Sequence, residues 1–444
     1  MAMYTNKDIL KISYPIILSL FAQTFINVID TAFLGHVSEI ALGASAMGGL
    51  FYFCIYTLAF GYSIGTQIVI ARRNGEGNYA QIGPTAIQGI FFLLLMALVL
   101  FVFTHIYGAP IMRIINSSDK IFYATMEFLD YRIYGFFFSF AGVIFRALYI
   151  GITKTKVLTI NAFVMALTNI ILDYALIFGH WGFPAMGIKG AAIASVIAEA
   201  TSLCFLVAYT YIAVDFKKYG FTHFRSFDLK LLLRILKISS FTMLQQFIIM
   251  STFFFFFVAV ERLSERSLAI ANVVRSIYII LFIPVNAFST TANTMVSNCI
   301  GSGGSAQVKK LIAQISRISF IIVMVMITLC AIFPQAILSI YTNNDSLIND
   351  SIPSVHVICI AIMIASISRI IYNSISGTGD TQAALYIEIT TMIIYLCYVF
   401  FVGMYLKASV AVCFTCEILY FIVQMIASII YFKIGRWEKK EIRI

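Results

Sequence analysis

The chain repeats itself at a fixed spacing of 226 residues, through segments that are too apolar to fold in water. The glycine-rich turn at 73–77 recurs at 299–303, and the turn at 151–155 recurs at 377–381. Internal repeats in a membrane chain build two lobes with a substrate path between them. The repeat therefore predicts a transporter that works by alternating access.

Composition agrees with a membrane chain and excludes other classes. Of the 444 residues, 61% are hydrophobic and only 11% are charged, with a mean hydropathy of +0.94. Soluble globular domains lie well outside this range. The net charge of +10 sits mostly in short loops and at the termini, where membrane topology explains it, so no nucleic-acid partner is expected.

Twelve apolar runs are long enough to cross a bilayer, which needs about twenty residues per helix. The chain is thus predicted to be an all-α polytopic membrane protein, with twelve transmembrane helices in two six-helix lobes. Because each half has an even number of spans, the lobes should be related by a pseudo-twofold axis along the membrane normal. The predicted helices are 10–34, 42–71, 86–107, 123–150, 157–179, 188–213, 236–260, 268–298, 312–340, 353–376, 383–405 and 410–432.

The basic residues predict the orientation. With the N-terminus in the cytoplasm, nineteen Lys and Arg residues fall inside and six outside, so both termini are expected in the cytoplasm of a multi-pass protein of the plasma (inner) membrane. The predicted domains are an N-lobe at 1–214, a basic linker at 215–236, and a C-lobe with a cytoplasmic tail at 237–444. The linker is either a solvated loop or a segment that docks on anionic headgroups.

Two carboxylates stand inside predicted helices, where an ionisable residue costs about 2.5–3.5 kcal/mol and usually faces a cavity or a partner. Asp30 shares a helix face with Asn27, and Asp173 shares one with Asn169. The two helices run the same way, which places both acids at similar depth. Such a pair suits a proton or a sodium ion; the alternative for each acid is a structural hydrogen bond between helices. No cofactor is expected beyond this ion.

Other intramembrane residues are secondary candidates. Pro15 removes a backbone hydrogen bond from the helix of Asp30 and permits a bend there, which is either static or coupled to protonation. Glu199 lies near mid-membrane, whereas Glu388 and Glu417 lie nearer helix ends, where we expect water to reach them. Arg369 pairs with such an acid or extends toward the headgroups.

Four segments carry a family resemblance: 27–36 with its upstream Pro15, 145–151, 169–179 and 187–195. In these the chain resembles the multidrug and toxic compound extrusion (MATE) family, and within it the DinF-like branch. The resemblance implies an efflux pump with twelve helices in two lobes. It would be driven by proton or sodium entry and would export organic cations or other amphipathic compounds.

The resemblance also implies a cation site in the N-lobe. The family's site carries over onto Asp30, Asn169 and Asp173, with Ser195 as the hydroxyl partner. The chain departs from the family pattern after Gly151, where Thr153 and Lys154 stand in place of an Asp or Asn.

A second departure concerns the C-lobe. The acidic pair that some branches carry on helices 7 and 10 is missing, because helix 7 offers Gln245 and Gln246 and helix 10 offers Arg369. Coupling is therefore expected to rest on the N-lobe.

The first hypothesis is a cation-coupled antiporter that exports small amphipathic molecules, with Asp30 and Asp173 as its coupling site, and two other functions compete with it. A flippase for lipid-linked saccharides would need a strongly cationic cleft, and the few intramembrane arginines argue against one. A membrane-embedded transferase would need clustered His, Asp or metal ligands, but the five histidines are scattered at loops and helix ends. We expect a monomeric transporter that is not an enzyme, with the substrate, coupling ion and stoichiometry left open.

Overall fold

The computed structural model describes residues 4–115, 118–223, 227–342, 344–434 and 436–439, and within these ranges the regular structure is helical without strands. Seven helices make up the first half: α1 (Asn6–Val37), α2 (Glu39–Glu76), α3 (Ile82–Ile115), α4 (Asp119–Arg132), α5 (Gly135–Gly151), α6 (Lys156–Phe178) and α7 (Ile188–Ala213). Seven follow in the second: α8 (Leu229–Glu261), α9 (Glu265–Gly301), α10 (Val308–Ile332), α11 (Pro334–Leu338), α12 (Asp345–Gly377), α13 (Thr381–Phe400) and α14 (Val410–Ile434).

The helices confirm the all-α polytopic prediction. In the described ranges, eleven helices are long and apolar enough to cross a membrane, and the bent pair α4–α5 has the length and composition of a twelfth span. Several predicted helices are too short: α3 ends eight residues after the predicted 107, and α12 begins eight residues before the predicted 353. Two others are divided differently. The helix expected at 123–150 is two helices that meet at 54°, and the helix expected at 312–340 ends at Ile332, before the short α11.

The repeat is visible in the helix boundaries themselves. Short 3₁₀ turns at Tyr79–Gln81 and Ser305–Gln307 are 226 residues apart, and each leads directly into the next helix. At the same spacing, α4 and α12 begin at Asp119 and Asp345. The fourth span is nevertheless continuous in the second half and broken in the first, so the break is a departure from the repeat.

The break has a local cause in the turn that joins α4 to α5. The amide of Tyr134 donates to the carbonyl of Tyr131 at 3.3 Å, and the amide of Phe136 donates to that of Ile133 at 3.1 Å. These i→i+3 bonds tighten the chain into a 3₁₀-like turn. Gly135, which has no side chain, begins the second helix directly after it.

The chain forms two compact units. The N-terminal unit comprises Leu18–Asn74 and Asn78–Ser239, and the C-terminal unit comprises Met1–Ile17, Gly75–Gly77 and Ser240–Ile444. One division falls inside α1, between Ile17 and Leu18 and two residues after Pro15. The predicted lobe limits at 214 and 237 stay a prediction, and linker residues 224–226 and tail residues 440–444 lie outside the described ranges.

Candidate functional site

Asp30 and Asp173 face each other in the N-terminal unit. Their carboxyl groups lie within hydrogen-bonding range of one another. The Asp173 side chain is 0% exposed, and Asp30 is half-buried. Nearby, the rings of Phe33 and Phe178 meet edge to face with centroids 5.5 Å apart, which holds α1 against α6. The sequence-predicted pair is thus brought together.

The oxygens around this pair lack donors. Both carboxylate oxygens of Asp173, Oδ1 of Asp30 and Oδ1 of Asn169 are buried and have no hydrogen-bond partner among the described residues. Ionised carboxylates only accept hydrogen bonds, and buried charge without a partner costs several kcal/mol. A proton shared by the carboxyls, or a cation among these oxygens, would remove that cost.

The remaining predicted members of the site differ in burial and in contact with the carboxylates. Asn169 is buried one helical turn before Asp173, whereas the Asn27 side chain is exposed. Ser195 on α7 is half-buried and makes no hydrogen bond to either carboxylate. The geometry therefore brings Asp30 and Asp173 into direct contact and places Asn169 beside Asp173.

Glu199 belongs to a separate buried cluster. Arg132, the last residue of α4, donates from two nitrogens to the Glu199 carboxylate, at 2.6 and 3.0 Å. The Tyr52 hydroxyl donates to the same carboxylate at 3.1 Å, and the Arg132 guanidinium carbon lies 3.6 Å from the centre of the Tyr52 ring. The side chains of Arg132 and Glu199 are only 13% and 9% exposed. Glu199 is therefore a neutralised carboxylate with its donors in place.

The break between α4 and α5 makes room for this cluster. A Cβ atom on Gly135 would collide with the Arg132 guanidinium and the Glu199 carboxylate, and it would lie 2.9 Å from the Tyr52 hydroxyl. Only a glycine allows α5 to start so close to the ion pair.

Sequence reasoning missed Arg132 and Tyr52. The Arg132 guanidinium also lies close enough to Asp30 to act on its carboxylate electrostatically, which connects the two sites. The sequence did offer a signal for Arg132, because this charged residue lies inside the predicted membrane-spanning helix at 123–150.

The C-terminal unit holds a second buried carboxylate, on Glu388 of α13. The Tyr420 hydroxyl donates to Oε1 of Glu388, and Gln424 donates to Oε2 at 3.2 Å. The expectation that water reaches Glu388 is wrong, because its side chain is 0% exposed. Packing against α14 buries this acid despite its position toward a helix end.

Glu417 lies in the same unit and also accepts hydrogen bonds from tyrosines. The hydroxyl of Tyr395 donates to it at 3.0 Å, and that of Tyr278 at 3.4 Å. Arg369 lies close enough to act electrostatically on both Glu388 and Glu417, but its buried Nε has no hydrogen-bond partner among the described residues. One guanidinium thus faces two carboxylates without a direct ion pair.

The helix-7 glutamines have different environments. Gln245 is buried and donates to the Tyr372 hydroxyl at 2.7 Å, and the Arg369 guanidinium carbon lies 5.5 Å from the centre of the Tyr372 ring. Gln246 is half-buried. Pro15 is buried inside α1, which continues through it. No cluster of three or more His, Cys, Asp or Glu side chains suited to a metal ion occurs in the described ranges.

Comparison with known proteins places this architecture in a family. The MatE family model matches residues 15–175 and 242–401, once in each half of the chain. The probable multidrug resistance protein NorM of Thermotoga maritima is 23% identical over 439 residues, which cover 98% of this chain and 94% of the relative. That of a Synechocystis species is 24% identical over 85% of this chain and 83% of the relative.

Solved structures show the same fold. A structure described as the outward-facing conformation of a multidrug resistance MATE family transporter of the MOP superfamily aligns with a TM-score of 0.87 at 18% identity, over 98% of this chain and 97% of that chain. A MATE crystal structure in the bent conformation aligns with a TM-score of 0.85 at 17% identity, over 97% and 94%. The family model covers most of both halves, and the chain is therefore a member of the MatE family.

Proposed function

We propose that the protein is a secondary active antiporter that exports small amphipathic or cationic organic compounds in exchange for protons or sodium ions. The multidrug resistance names of its relatives support the substrate class. The observation that carries the proposal is the Asp30–Asp173 pair, whose buried oxygens face one another without donors.

The pair can sense a cation through its charge. Glu199 is neutralised by Arg132, so the two aspartates carry the unbalanced negative charge of this region when both are ionised. Binding one proton or one monovalent cation removes the repulsion between them. A ligand that favours one conformation shifts the population toward it, in proportion to its differential affinity for the two states.

Helix α1 links cation binding to the conformational change. It carries Asp30, and it contains Pro15, which lacks the amide proton needed for an intrahelical hydrogen bond. The change of compact unit falls two residues after this proline. A helix weakened there can change direction at little cost when the carboxylate it carries gains or loses its cation.

Transport in proteoliposomes tests the proposal. Efflux of a fluorescent organic cation would be followed under an imposed pH gradient and, separately, under a sodium gradient. The parent chain would be compared with Asp30→Asn and Asp173→Asn. Asp119→Asn is the matched control, because it removes one carboxylate whose side chain is 70% exposed and paired with Arg113 at the surface.

The outcomes separate the alternatives. We expect gradient-driven efflux in the parent and in the Asp119→Asn control, and the gradient that drives it identifies the coupling ion. Asp30→Asn and Asp173→Asn should both lose coupling to that gradient. Unchanged coupling in those variants would make the aspartates structural. A parent that moves no organic cation under either gradient, but flips a lipid-linked saccharide, would replace the antiporter with the flippase.

The many spans make this an integral membrane protein. We further propose that it lies in the inner membrane as a monomer. The basic residues predict that both termini lie in the cytoplasm. The orientation would be tested by fusing to each terminus a reporter that is active on only one side of the membrane. Activity of either fusion in the periplasm would overturn it.

A further inference from the structure

An apolar cavity opens in the N-terminal unit between α3, α5 and α7. Its volume is about 340 Å³, at the lower end of the roughly 300–1,000 Å³ typical of ligand pockets. Its lining includes Ala86 and Ile90 of α3, Ile144 and Leu148 of α5, Val207 of α7, and Phe216 of the segment that follows α7. These walls suit a hydrocarbon chain.

The segment after α7 forms an ordered end wall for the cavity. The amide of Gly83, near the start of α3, donates to the carbonyl of Tyr219 at 2.7 Å. The amide of Phe221 donates to the carbonyl of Phe216 at 2.9 Å, which brings the two rings to a centroid distance of 5.1 Å. The two phenylalanines are thereby fixed as an aromatic wall.

Lysines lie beside the tyrosines next to this wall, which are in the segment after α7 and just before α3. The ammonium of Lys218 lies 4.4 Å from the centre of the Tyr79 ring, and that of Lys154 lies 5.8 Å from the centre of the Tyr219 ring. Lys217 is exposed directly after Phe216. Burial raises the pKa of the Tyr219 hydroxyl, so this tyrosine stays neutral beside the lysines.

The Asp215 carboxylate, which precedes two of these lysines, binds backbone amides and forms no ion pair with their ammonium groups. Oδ1 of Asp215 accepts the backbone amides of Lys217 and Lys218, at 3.1 and 3.0 Å, and caps the turn. None of the three ammonium groups forms an ion pair among the described residues. The edge of the cavity therefore keeps a net positive charge.

We propose that this cavity binds an anionic phospholipid of the bilayer, with an acyl chain between α3, α5 and α7 and the phosphate at Lys154, Lys217 and Lys218. A zwitterionic lipid would not account for three lysines at the edge, and an organic cation would be repelled by them. Free phosphate would leave the apolar walls unused. Basic pockets between transmembrane helices bind anionic headgroups through this combination of charge and shape.

Lipid binding to the purified full chain tests the proposal independently of transport. Native mass spectrometry would measure the affinity for phosphatidylglycerol and for phosphatidylcholine. The triple variant Lys154→Gln, Lys217→Gln, Lys218→Gln removes the charge at the cavity. The control, Lys230→Gln, Lys309→Gln, Lys310→Gln, removes the same charge from exposed lysines elsewhere.

A second variant fills the cavity. Val207 is 48% exposed, so Val207→Trp places a large ring among the cavity walls without overpacking a closed core. Each lysine near a membrane surface changes anionic-lipid affinity about fivefold, so the triple variant should lose on the order of a hundredfold. The control should retain the parent's affinity, and Val207→Trp should release phosphatidylglycerol.

Three results would overturn the proposal. Equal affinity of the parent for phosphatidylcholine would show that charge does not select the lipid. Full phosphatidylglycerol binding by the triple variant would remove the lysines from the site. If Val207→Trp binds phosphatidylglycerol fully while the triple variant does not, the lysines attract the headgroup at the surface and the cavity does not hold an acyl chain.

Discussion

The guanidinium of Arg132 holds the carboxylate of Glu199 with two parallel hydrogen bonds, of 2.6 and 3.0 Å, at the point where the fourth span breaks. This ion pair ties the end of α4 to α7, and the Tyr52 ring stacks on the guanidinium from α2. Such two-pronged pairs fix geometry as well as charge. At the break, side-chain contacts thus join the three helices α2, α4 and α7.

Removing one partner of this pair should destabilise the protein strongly. Glu199→Ala leaves a buried guanidinium without its carboxylate, and breaking a buried ion pair in this way costs about 3–5 kcal/mol. We expect the free energy of unfolding, measured by denaturant titration of the detergent-solubilised protein, to fall by that amount. The double variant Arg132→Met, Glu199→Met should lose much less, because it leaves no unpaired charge.

The matched control is the surface pair Arg113–Asp119, whose side chains are 55% and 70% exposed. Exposed pairs contribute about 0–1 kcal/mol, so Asp119→Ala should hardly change the unfolding free energy. A Glu199→Ala variant as stable as this control would show that the buried pair is not a structural junction.

The coupling pair should behave in the opposite way. Asp30→Asn or Asp173→Asn removes a buried charge that has no donor, so either variant should unfold at the same or a higher temperature while it loses coupled transport. Thermal unfolding in detergent would show this. A large drop in the unfolding temperature would indicate that these carboxylates hold helices together, and the transport defect would then reflect misfolding.

Hydropathy predicted about twelve membrane-spanning helices and marked Asp30 and Asp173 as candidates for a shared ion site, but it did not predict that the two side chains meet. A charged residue in an apolar run is visible in the sequence, and two helices that run the same way place their acids at comparable depth. The helix starts at Asp119 and Asp345 keep the 226-residue spacing of the repeat, although the predicted starts at 123 and 353 do not. These features depend on local pattern and on chain direction.

The Arg132 cluster and the burial of Glu388 depend on tertiary packing instead. Arg132 reaches Glu199 only because the chain turns at 133–134 and Gly135 has no side chain. Glu388 is buried because Tyr420 and Gln424 of α14 cover it, whatever its distance from the helix end. Neither relationship has a signal in the spacing of apolar residues.

Glu388 should be structural if coupling rests on the N-terminal unit. Glu388→Gln replaces an acceptor with an amide nitrogen, so one of the donors from Tyr420 and Gln424 loses its partner. Leaving a buried donor unpaired costs about 1–3 kcal/mol, which should appear in the unfolding free energy. Gradient-driven efflux per folded molecule should remain.

The transport measurement on Glu388→Gln therefore carries information on the coupling site. A variant that stays folded but transports without the gradient would place part of the coupling in the C-terminal unit. The double variant Asp173→Asn, Glu388→Gln would then separate the two contributions.

Pro15 should lower the stability of α1, and it should also allow this helix to bend. Pro15→Ala restores an intrahelical hydrogen bond whose loss costs about 3 kcal/mol in a helix interior, so we expect a more stable protein with slower transport. Pro353 lies inside α12, and Pro353→Ala controls for the general effect of removing a helix proline. Equal transport by the parent and Pro15→Ala would show that the proline is a static feature of the helix.

The close packing of α6 on α7 gives a final prediction. A Cβ atom on Gly190 would lie 2.6 Å from the backbone carbonyl oxygen of Leu176, and backbone cannot move aside as a flexible side chain does. Gly190→Ala should therefore push α7 away from the helix that carries Asp173, at a cost of about 1–3 kcal/mol in unfolding free energy. Coupled transport should fall together with the stability.

The control is Gly142 in α5, because a Cβ atom built on it would have no atom within 4 Å. Gly142→Ala should therefore stabilise its helix by roughly 0.5–1 kcal/mol and leave transport intact. If both variants unfold alike, the contact between α6 and α7 does not hold the carboxylate in place.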